Sequence, residues 1–600
     1  MILEVEPRLV QEAVKKGFKR IDKYRNARTL FIKEYCGQYF SQTKGLTGDQ
    51  PINLLFATIR AYVPNLVMRN PINKVTTEII QHKQFAELLG YGLDNLHKQI
   101  KIKDVLRAWI IDALFGLGII ETGLCASDNI VQLDDVDIDP GQVFSAIVSL
   151  DNFVCDSICN SFDEAMFLGH RIRAPRRKFL EIEGLDEELI MKLPNAFSKT
   201  ANDKNRVEDL SKHNINNADL KDLEDYVEIV KIWIPEANAN IFLPDPNVTT
   251  FENFIGVKDY YGPKTGPYNF LALTPPVPDN PFPVAPVGVW YDLHNMANRI
   301  FKKLMEQADR QKDIALYKPN LADAVQDVID AEDGEAVACD DPKGINVVSF
   351  GGENRDNSAM VAQLQVWYNY IAGNPDQMAG IRQESETATQ AEILNANSSI
   401  TLNDMHDIIY DGTADISKKQ AWYLYTDPLI EIPKTKRTTG GEEIQLWLTP
   451  EQRMGDFFEY IFSVKQRSMS RLDPLMRAKR IMEFATNVVP AATMAAQACT
   501  QMGVEFNLQR FLTGVAEELD INEFMVDVFN DSEFQNRLAM IEKQGEQNPG
   551  KAQVLSMKGV TQNKGFPMTK NSSTPAQESN RFAQQTAGVA QSEKRFNLGL

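Results

Sequence analysis

Thr274-Pro275-Pro276-Val277-Pro278-Asp279-Asn280-Pro281-Phe282-Pro283-Val284-Ala285-Pro286 decides how the chain is organised. Six prolines in so short a stretch fix φ and remove amide donors, so the segment reads as a rigid extended connector at which the chain changes direction. Immediately beyond it, Leu293, Met296, Ala297, Ile300, Leu304, Met305 and Ala308 mark one face of a helix from about Val289 to Lys312, with Arg299, Lys302, Lys303 and Arg310 interspersed. Ile314 to Tyr317 and Ile345 to Phe350 then read as strands around an acidic middle (Asp327, Asp330, Glu332, Asp333, Glu335). Met360, Leu364, Trp367 and Ile371 form one stripe of a returning helix, about Asp356 to Ile371. The order is helix, small α/β insert, helix.

Residues 8 to 120 upstream read mostly as helix, with Leu54, Leu55, Ile59, Tyr62, Val63 and Leu66 at helical spacing and a second segment from Leu96 to Ile111. Val143 to Leu150 and Val227 to Ile234 are rich in β-branched and aromatic residues and read as strands of a mixed region. The basic run Arg171, Arg173, Arg176, Arg177, Lys178 reads as a solvated face. Downstream, Asn374-Pro375 ends the returning helix, Arg382 to Glu386 forms a loop, and Thr387-Ala388-Thr389-Gln390 has the spacing that caps a helix, here running with breaks to about Tyr425. Glu443 to Leu448 and Phe457 to Val464 read as strands, and 470 to 489 and 505 to 545 as helices. The last fifty residues are poor in apolar side chains and are expected to be disordered.

At 600 residues, with 43% hydrophobic and 24% charged residues, the chain is long enough for several cores and too apolar for a disordered protein. Its 63 Lys and Arg against 82 Asp and Glu give a net charge of −19, which opposes tight binding to a polyanion and argues against sequence-specific DNA reading. The tail carries seven cations and two Glu, which leaves the body at −24. A basic tail of this kind suits either contact with DNA or an acidic partner, or simple solubility. The scattered cysteines (36, 125, 155, 159, 339, 499) fit free thiols in a reducing compartment, and neither an N-terminal export signal nor a bilayer-spanning run is read.

Motifs for chemistry are incomplete. Gly256 to Gly262-Pro263-Lys264-Thr265 has one residue too many for a phosphate loop, and its proline removes a needed amide. Asp135-x-Asp137-x-Asp139 has Pro140 where a calcium loop needs glycine and Ala146 where it needs glutamate. It reads as a strand edge, with a surface cation held by Asp134, Asp135, Asp137 and Asp139 as the alternative. The histidines are never close enough for a two-histidine metal face, and Cys155 and Cys159 lack a second pair at zinc spacing. No nucleophile elbow occurs, and Gly116-x-Gly118 lacks the third glycine of a dinucleotide loop. The expectation is a protein without catalytic residues, metal or cofactor.

The order of segments resembles the portal proteins of tailed bacteriophages, particularly those of short-tailed phages, over roughly residues 1 to 545. The local carriers are Asp112-Ala113-Leu114-Phe115-Gly116-Leu117-Gly118 before a strand, and Phe153-Val154-Cys155-Asp156 followed by Phe162-Asp163-Glu164-Ala165. Further on, Glu384 to Gln390 opens a helix and Phe462-Ser463-Val464 leads into another. The resemblance implies an α+β, mainly helical, elongated subunit. Its regions would be a wing with its connector (1–288), a first stem helix (289–312), a clip (313–355), a second stem helix (356–373), a tunnel-loop region (374–401), a second wing part (402–495), a crown (496–546) and the basic tail (547–600). It further implies a homo-oligomeric ring of about twelve subunits at one capsid vertex, assembled in the host cytoplasm and carried in the virion. Partners would be the major capsid protein, the terminase, tail adaptor proteins and double-stranded DNA in transit without sequence preference. Lys302, Lys303, Arg382 and Gln383 are the candidates for touching that DNA. Competing readings are a capsid-assembly or scaffolding protein and a nucleotide-driven packaging enzyme.

Overall fold

The computed structural model describes residues 6–37, 52–126, 131–133, 136–139, 141–196, 225–332, 336–339, 342–350, 355–373, 375–378, 388–437, 443–465, 468–469, 481–501, 511–512 and 514–516. The chain divides into two compact units, Met1–Thr438 with Glu442–Arg477, and Thr439–Gly441 with Ala478–Leu600. Both helix and sheet are present, and every strand ladder among the described residues is antiparallel. This is an α+β protein with open sheets.

In the first unit, helix α1 (Pro7–Cys36) starts with proline in its first turn, where the missing amide costs nothing. It buries Val10, Val14, Phe18 and Ile21 along one stripe. Helices α2 (Leu54–Leu66), α3 (Lys83–Gln99) and α4 (Ile102–Leu114) come next, with strand β1 (Asn73–Thr76) between α2 and α3. Then come β2 (Gly118–Cys125), β3 (Val131–Leu133), β4 (Val136–Ile138), β5 (Gln142–Ile147), β6 (Phe153–Cys155), β7 (Leu168–Pro175), β8 (Tyr226–Ile234), β9 (Ala239–Pro244), β10 (Gly256–Asp259) and β11 (Tyr268–Leu271). They form a five-stranded sheet in the order β10-β9-β8-β7-β6, a three-stranded sheet β11-β2-β5 and the hairpin β3-β4.

The near-continuous apolar run of β8 is explained by cover on both faces. Val230 and Ile232 pack against Val10, Val14 and Phe18 of α1, while Val227 and Ile229 pack with Phe179, Leu185 and Ile190. Helix α1 comes so close to β6 that a Cβ at Gly17 would collide with the Cys155 carbonyl oxygen, so only glycine fits. The connector makes its turn at Val277–Asn280, with Pro278 second and Asp279 third at φ 57°, the pattern of a type II turn.

After the connector come α5 (Pro286–Asp309), β12 (Lys312–Tyr317), α6 (Ala322–Asp330), β13 (Ile345–Phe350), α7 (Arg355–Ile371), α8 (Ala388–Thr426), β14 (Ile432–Arg437), β15 (Glu443–Leu448) and β16 (Ile461–Val464). β12 pairs with β13, β14 with β15, and β16 returns to β1. The second unit has a π-helical turn, Phe484–Val488, continuing into α9 (Val489–Gln501), with Phe484, Ala492, Leu512 and Ala516 buried together.

The structure corrects several expectations. Leu96 to Ile111 is two helices, because Lys101 adopts a left-handed conformation (φ 51°) between α3 and α4. Helix α8 runs without a break. Phe457–Glu459 is a 3₁₀ turn that buries Phe457 and Tyr460, and only Ile461–Val464 is strand. The basic run is only partly solvated. Arg171 is buried, lies over the Phe18 ring at 4.5 Å and pairs with Asp245 at 2.7 Å, and Arg173 pairs with Glu228 at 2.6 Å. Arg177 and Lys178 are exposed. The C-terminal tail lies outside the described residues.

Asp112, the one charge in the apolar run Trp109 to Ile120, is also accounted for. Arg28 of α1 reaches Asp112 at 2.9 Å and Asp151 at 3.2 Å, with the guanidinium buried. Burial holds the Asp112 carboxyl above the usual range, and Arg28 opposes that shift. Arg28→Met would strand two carboxylates without their counter-ion. It is expected to lower unfolding free energy by about 3–5 kcal/mol in urea titration, whereas Arg177→Met stays within about 0.5 kcal/mol.

Candidate functional site

The helix pair α5 and α7, with the strands between them, is the most unusual part of the described chain. Proline at the start of α5 presets its first turn, and Val287, Trp290, His294, Ala297 and Asn298 point inward at helical spacing. On α7 the inward residues are Leu364, Tyr368 and Asn369, with Ala372 just beyond. Helix α2 clamps both roots. Tyr62 stacks on Trp290 with ring centroids 5.8 Å apart and donates to the Ala372 carbonyl at 2.5 Å, while Thr58 Oγ1 meets the Tyr368 hydroxyl at 2.7 Å. The Asn298 side chain accepts from the Ile52 amide at 3.0 Å.

Beyond these roots the pair leaves the core. Among the described residues, no core cluster takes a side chain between Asn298 and Leu364. The helices are antiparallel. Gln307 near the end of α5 accepts from Asn357 at the start of α7 (3.4 Å), and Lys312 opposite Phe350 continues the pairing into β12 and β13. At the far end, Leu321 and Val325 are buried by the insert itself. Ile314, Leu316 and Val348 are exposed, and the register puts all three on one face, with Ile314 opposite Val348.

The two helices present different surfaces. The exposed stripe of α5 holds Asp292, Met296, Arg299, Lys303, Glu306 and Arg310, with Lys302 beside it. Helix α7 has no charged residue from Asn357 to Pro375. Yet Val366, Trp367, Tyr370 and Ile371 are 61%, 44%, 84% and 44% exposed. An uncharged helical face with two exposed aromatic rings is the kind of patch that marks a contact with another macromolecule.

Of the residues singled out in the sequence, Lys302 and Lys303 are exposed on the distal half of α5. Arg382 and Gln383 lie outside the described residues, as do Asp134 and Asp135. Asp137 is in β4 opposite Gln132, and Asp139 accepts from the Gly141 amide at 2.9 Å. Among the described residues, no group of three His, Cys, Asp or Glu is placed to hold a metal ion. Lys264 is exposed, and the chain runs from it into strand β11, not into the helix a phosphate loop requires. No described helix is long and apolar enough to cross a membrane. No protein-family model and no curated protein matches the chain.

Sequence reasoning missed the buried histidines that sit where elements meet. His294 lies between α5 and α1, its Nε2 3.9 Å from Glu34 Oε2 and its ring beside Asn298. His97 of α3 faces Gln420 of α8 at 2.7 Å and Asn73 of β1 at 3.1 Å. Because the Asn73 amide is a donor, His97 Nδ1 accepts and Nε2–H donates to Gln420 Oε1. Burial lowers both histidines to about 4. A histidine depressed in the folded state gives stability that is full above its ordinary pKa of 6.5 and is lost as pH falls towards 4. Each is worth roughly 3 kcal/mol over that window. Melting temperature is therefore expected to drop steeply between pH 6.5 and 4, and His294→Gln to flatten the drop.

Proposed function

We propose that this chain is a portal subunit of a tailed bacteriophage: copies stand side by side in a closed ring of about twelve at one capsid vertex, and the genome passes through the central hole. The observation that carries this reading is the α5–α7 pair. Its roots are fixed in the core, no side chain between Asn298 and Leu364 enters a core cluster among the described residues, and α7 turns an uncharged face to solvent while α5 turns a charged one with Val289, Met296 and Met305 exposed among the charges. A neighbouring copy related by rotation about an axis covers such a face in every subunit, and the series closes without leaving an exposed end.

In this arrangement α5 and α7 are the stem, and β12, α6 and β13 form the clip that docks the terminase and later the tail adaptor. The acidic balance of the chain keeps double-stranded DNA moving, because a wall dense in cations would hold phosphates by counterion release. Lys302 and Lys303, with Arg382 and Gln383, supply sparse, weak contacts to the passing duplex.

Negative-stain images of the purified chain test the reading. Closed rings with a central hole are expected, and compact monomers alone at tens of micromolar would contradict it. Because Val366 and Tyr370 are exposed in the single chain, Val366→Asp with Tyr370→Asp is expected to leave secondary structure unchanged and to convert rings into monomers. Removing 313–355 is expected to keep the rings and abolish terminase docking. Loss of shell formation instead would favour a scaffolding role.

A further inference from the structure

Away from the α5–α7 pair, two further helix faces stand uncovered in the single chain, and they carry opposite charge. On α1, Lys16, Lys19 and Lys23 are exposed along the side turned away from the buried Val14, Phe18 and Ile21, with Lys15 beside them. Between Glu12 and Glu34 the helix holds one acid, Asp22, and that carboxylate pairs with Arg25 at 3.1 Å. On α8, Asp404, Asp407, Asp411 and Asp415 are exposed along the side opposite the buried Met405, Ile409, Thr413 and Ile416. That helix has no Lys or Arg ahead of Lys418. Lys16, Lys19 and Lys23 have the spacing i, i+3, i+7, and so do Asp404, Asp407 and Asp411, so each set lines one stripe about 10 Å long. Among the described residues none of these six side chains has an ion-pair partner.

The two stripes look out from opposite faces of one stack. Val230 and Ile232 of β8 pack with Val14 and Phe18 of α1, so Lys231 between them turns to the other face of its sheet. There its Nζ meets Glu121 Oε1 of β2 at 2.6 Å. Thr122, next in β2, points away from that contact, and its hydroxyl meets Ser145 Oγ of β5 at 3.0 Å. Ser145 Oγ in turn accepts from Gln420 Nε2 of α8 at 2.9 Å. The order of layers is therefore α1, the five-stranded sheet, the three-stranded sheet, α8. Two sheets packed about 10 Å apart keep the lysines and the aspartates from meeting within one chain. A cationic stripe on one outer face and an anionic stripe on the other are the two halves of a head-to-tail contact, the kind that closes a ring when it is repeated about an axis.

We propose that α1 of each copy docks on α8 of the next, with Lys16, Lys19 and Lys23 set against Asp404, Asp407 and Asp411. The proposal rests on the ring reading and gives it a surface separate from α7. Matched charge at equal spacing fixes the register of the contact and speeds its formation more than it adds affinity. Like charge excludes the wrong pairings, α1 on α1 and α8 on α8, so the subunits are held to one direction around the axis.

The test treats the full-length chain with a carbodiimide, which joins lysine to aspartate without a spacer, and analyses the dimer band of a denaturing gel by mass spectrometry. Peptides bearing Lys16, Lys19 or Lys23 are expected to be joined to peptides bearing Asp404, Asp407 or Asp411. Lys19→Glu with Lys23→Glu is expected to abolish rings in negative stain, because each junction then sets carboxylate against carboxylate. Adding Asp407→Lys with Asp411→Lys to the same chain is expected to restore them, a rescue that a merely structural role of these exposed residues would not give. Wild-type rings that lack the cross-links, or rings that persist in the first variant, would overturn this contact and leave the ring reading standing. A wild-type chain that stays monomeric would overturn the ring reading and the contact with it. The cross-linking result stands whether or not either variant folds.

Discussion

The clamp that α2 places on two helix roots is the constraint on which the rest of the architecture depends. Tyr62 and Thr58 reach α5 and α7 together, through one ring stack and two hydrogen bonds made where water is excluded. A helix fixed on one side by such contacts cannot turn its outer face inward, so whatever residues lie on that face stay outside. On α5 most of those residues are charged and need no cover, though Val289, Met296 and Met305 stand exposed among them. On α7 they are Val366, Trp367, Tyr370 and Ile371, and within one chain nothing among the described core clusters takes them in. The fold of the single chain therefore leaves apolar surface unresolved at a position that a repeated copy is able to cover.

Charge in this protein is sorted between interior and exterior in a way that net composition conceals. Arg28, Arg171, Arg173 and Lys231 spend their charge on Asp112, Asp151, Asp245, Glu228 and Glu121. Each pair joins elements distant in sequence, and its desolvation is tolerable only because both partners are present. Lys419 goes further: burial lowers its ammonium to about 8, and its hydrogen bond goes to the Tyr268 carbonyl at 2.5 Å. Five cations and five carboxylates are withdrawn from the surface together, so the exterior keeps the acidic balance of the whole chain.

Much of the helix pair was legible because its signals are local. Six prolines punctuate the chain, a stripe from Leu293 to Ala308 has helical period, and the apolar, strand-like runs at 314–317 and 345–350 fall within β12 and β13 in the structure. α5 starts three residues earlier than its stripe suggests, since Pro286 serves as its first turn. What stayed illegible depends on partners far away in the chain. β1 sits in a stretch read as helix, and it is a strand because Asn73 to Thr76 pair with Ile461 to Val464. Arg171 and Arg173 looked solvated because nothing near them in sequence announces Asp245 or Glu228. The clamp itself was hidden for the same reason: Tyr62 and Tyr368 carry no local sign that they share a core. Of the residues chosen for contact with DNA, the structure locates Lys302 and Lys303 on the charged helix, where periodicity alone had put them.

The most direct measurement replaces Tyr370 with a photoreactive benzoylphenylalanine in the full-length chain, irradiates the purified protein and resolves it under denaturing conditions. If the uncharged face of α7 rests on a neighbouring copy, a ladder of covalent multimers builds up from the 67.7 kDa chain, with cross-links that map to a second copy. A single band at the mass of one chain, at concentrations where the protein is folded and abundant, would contradict the account.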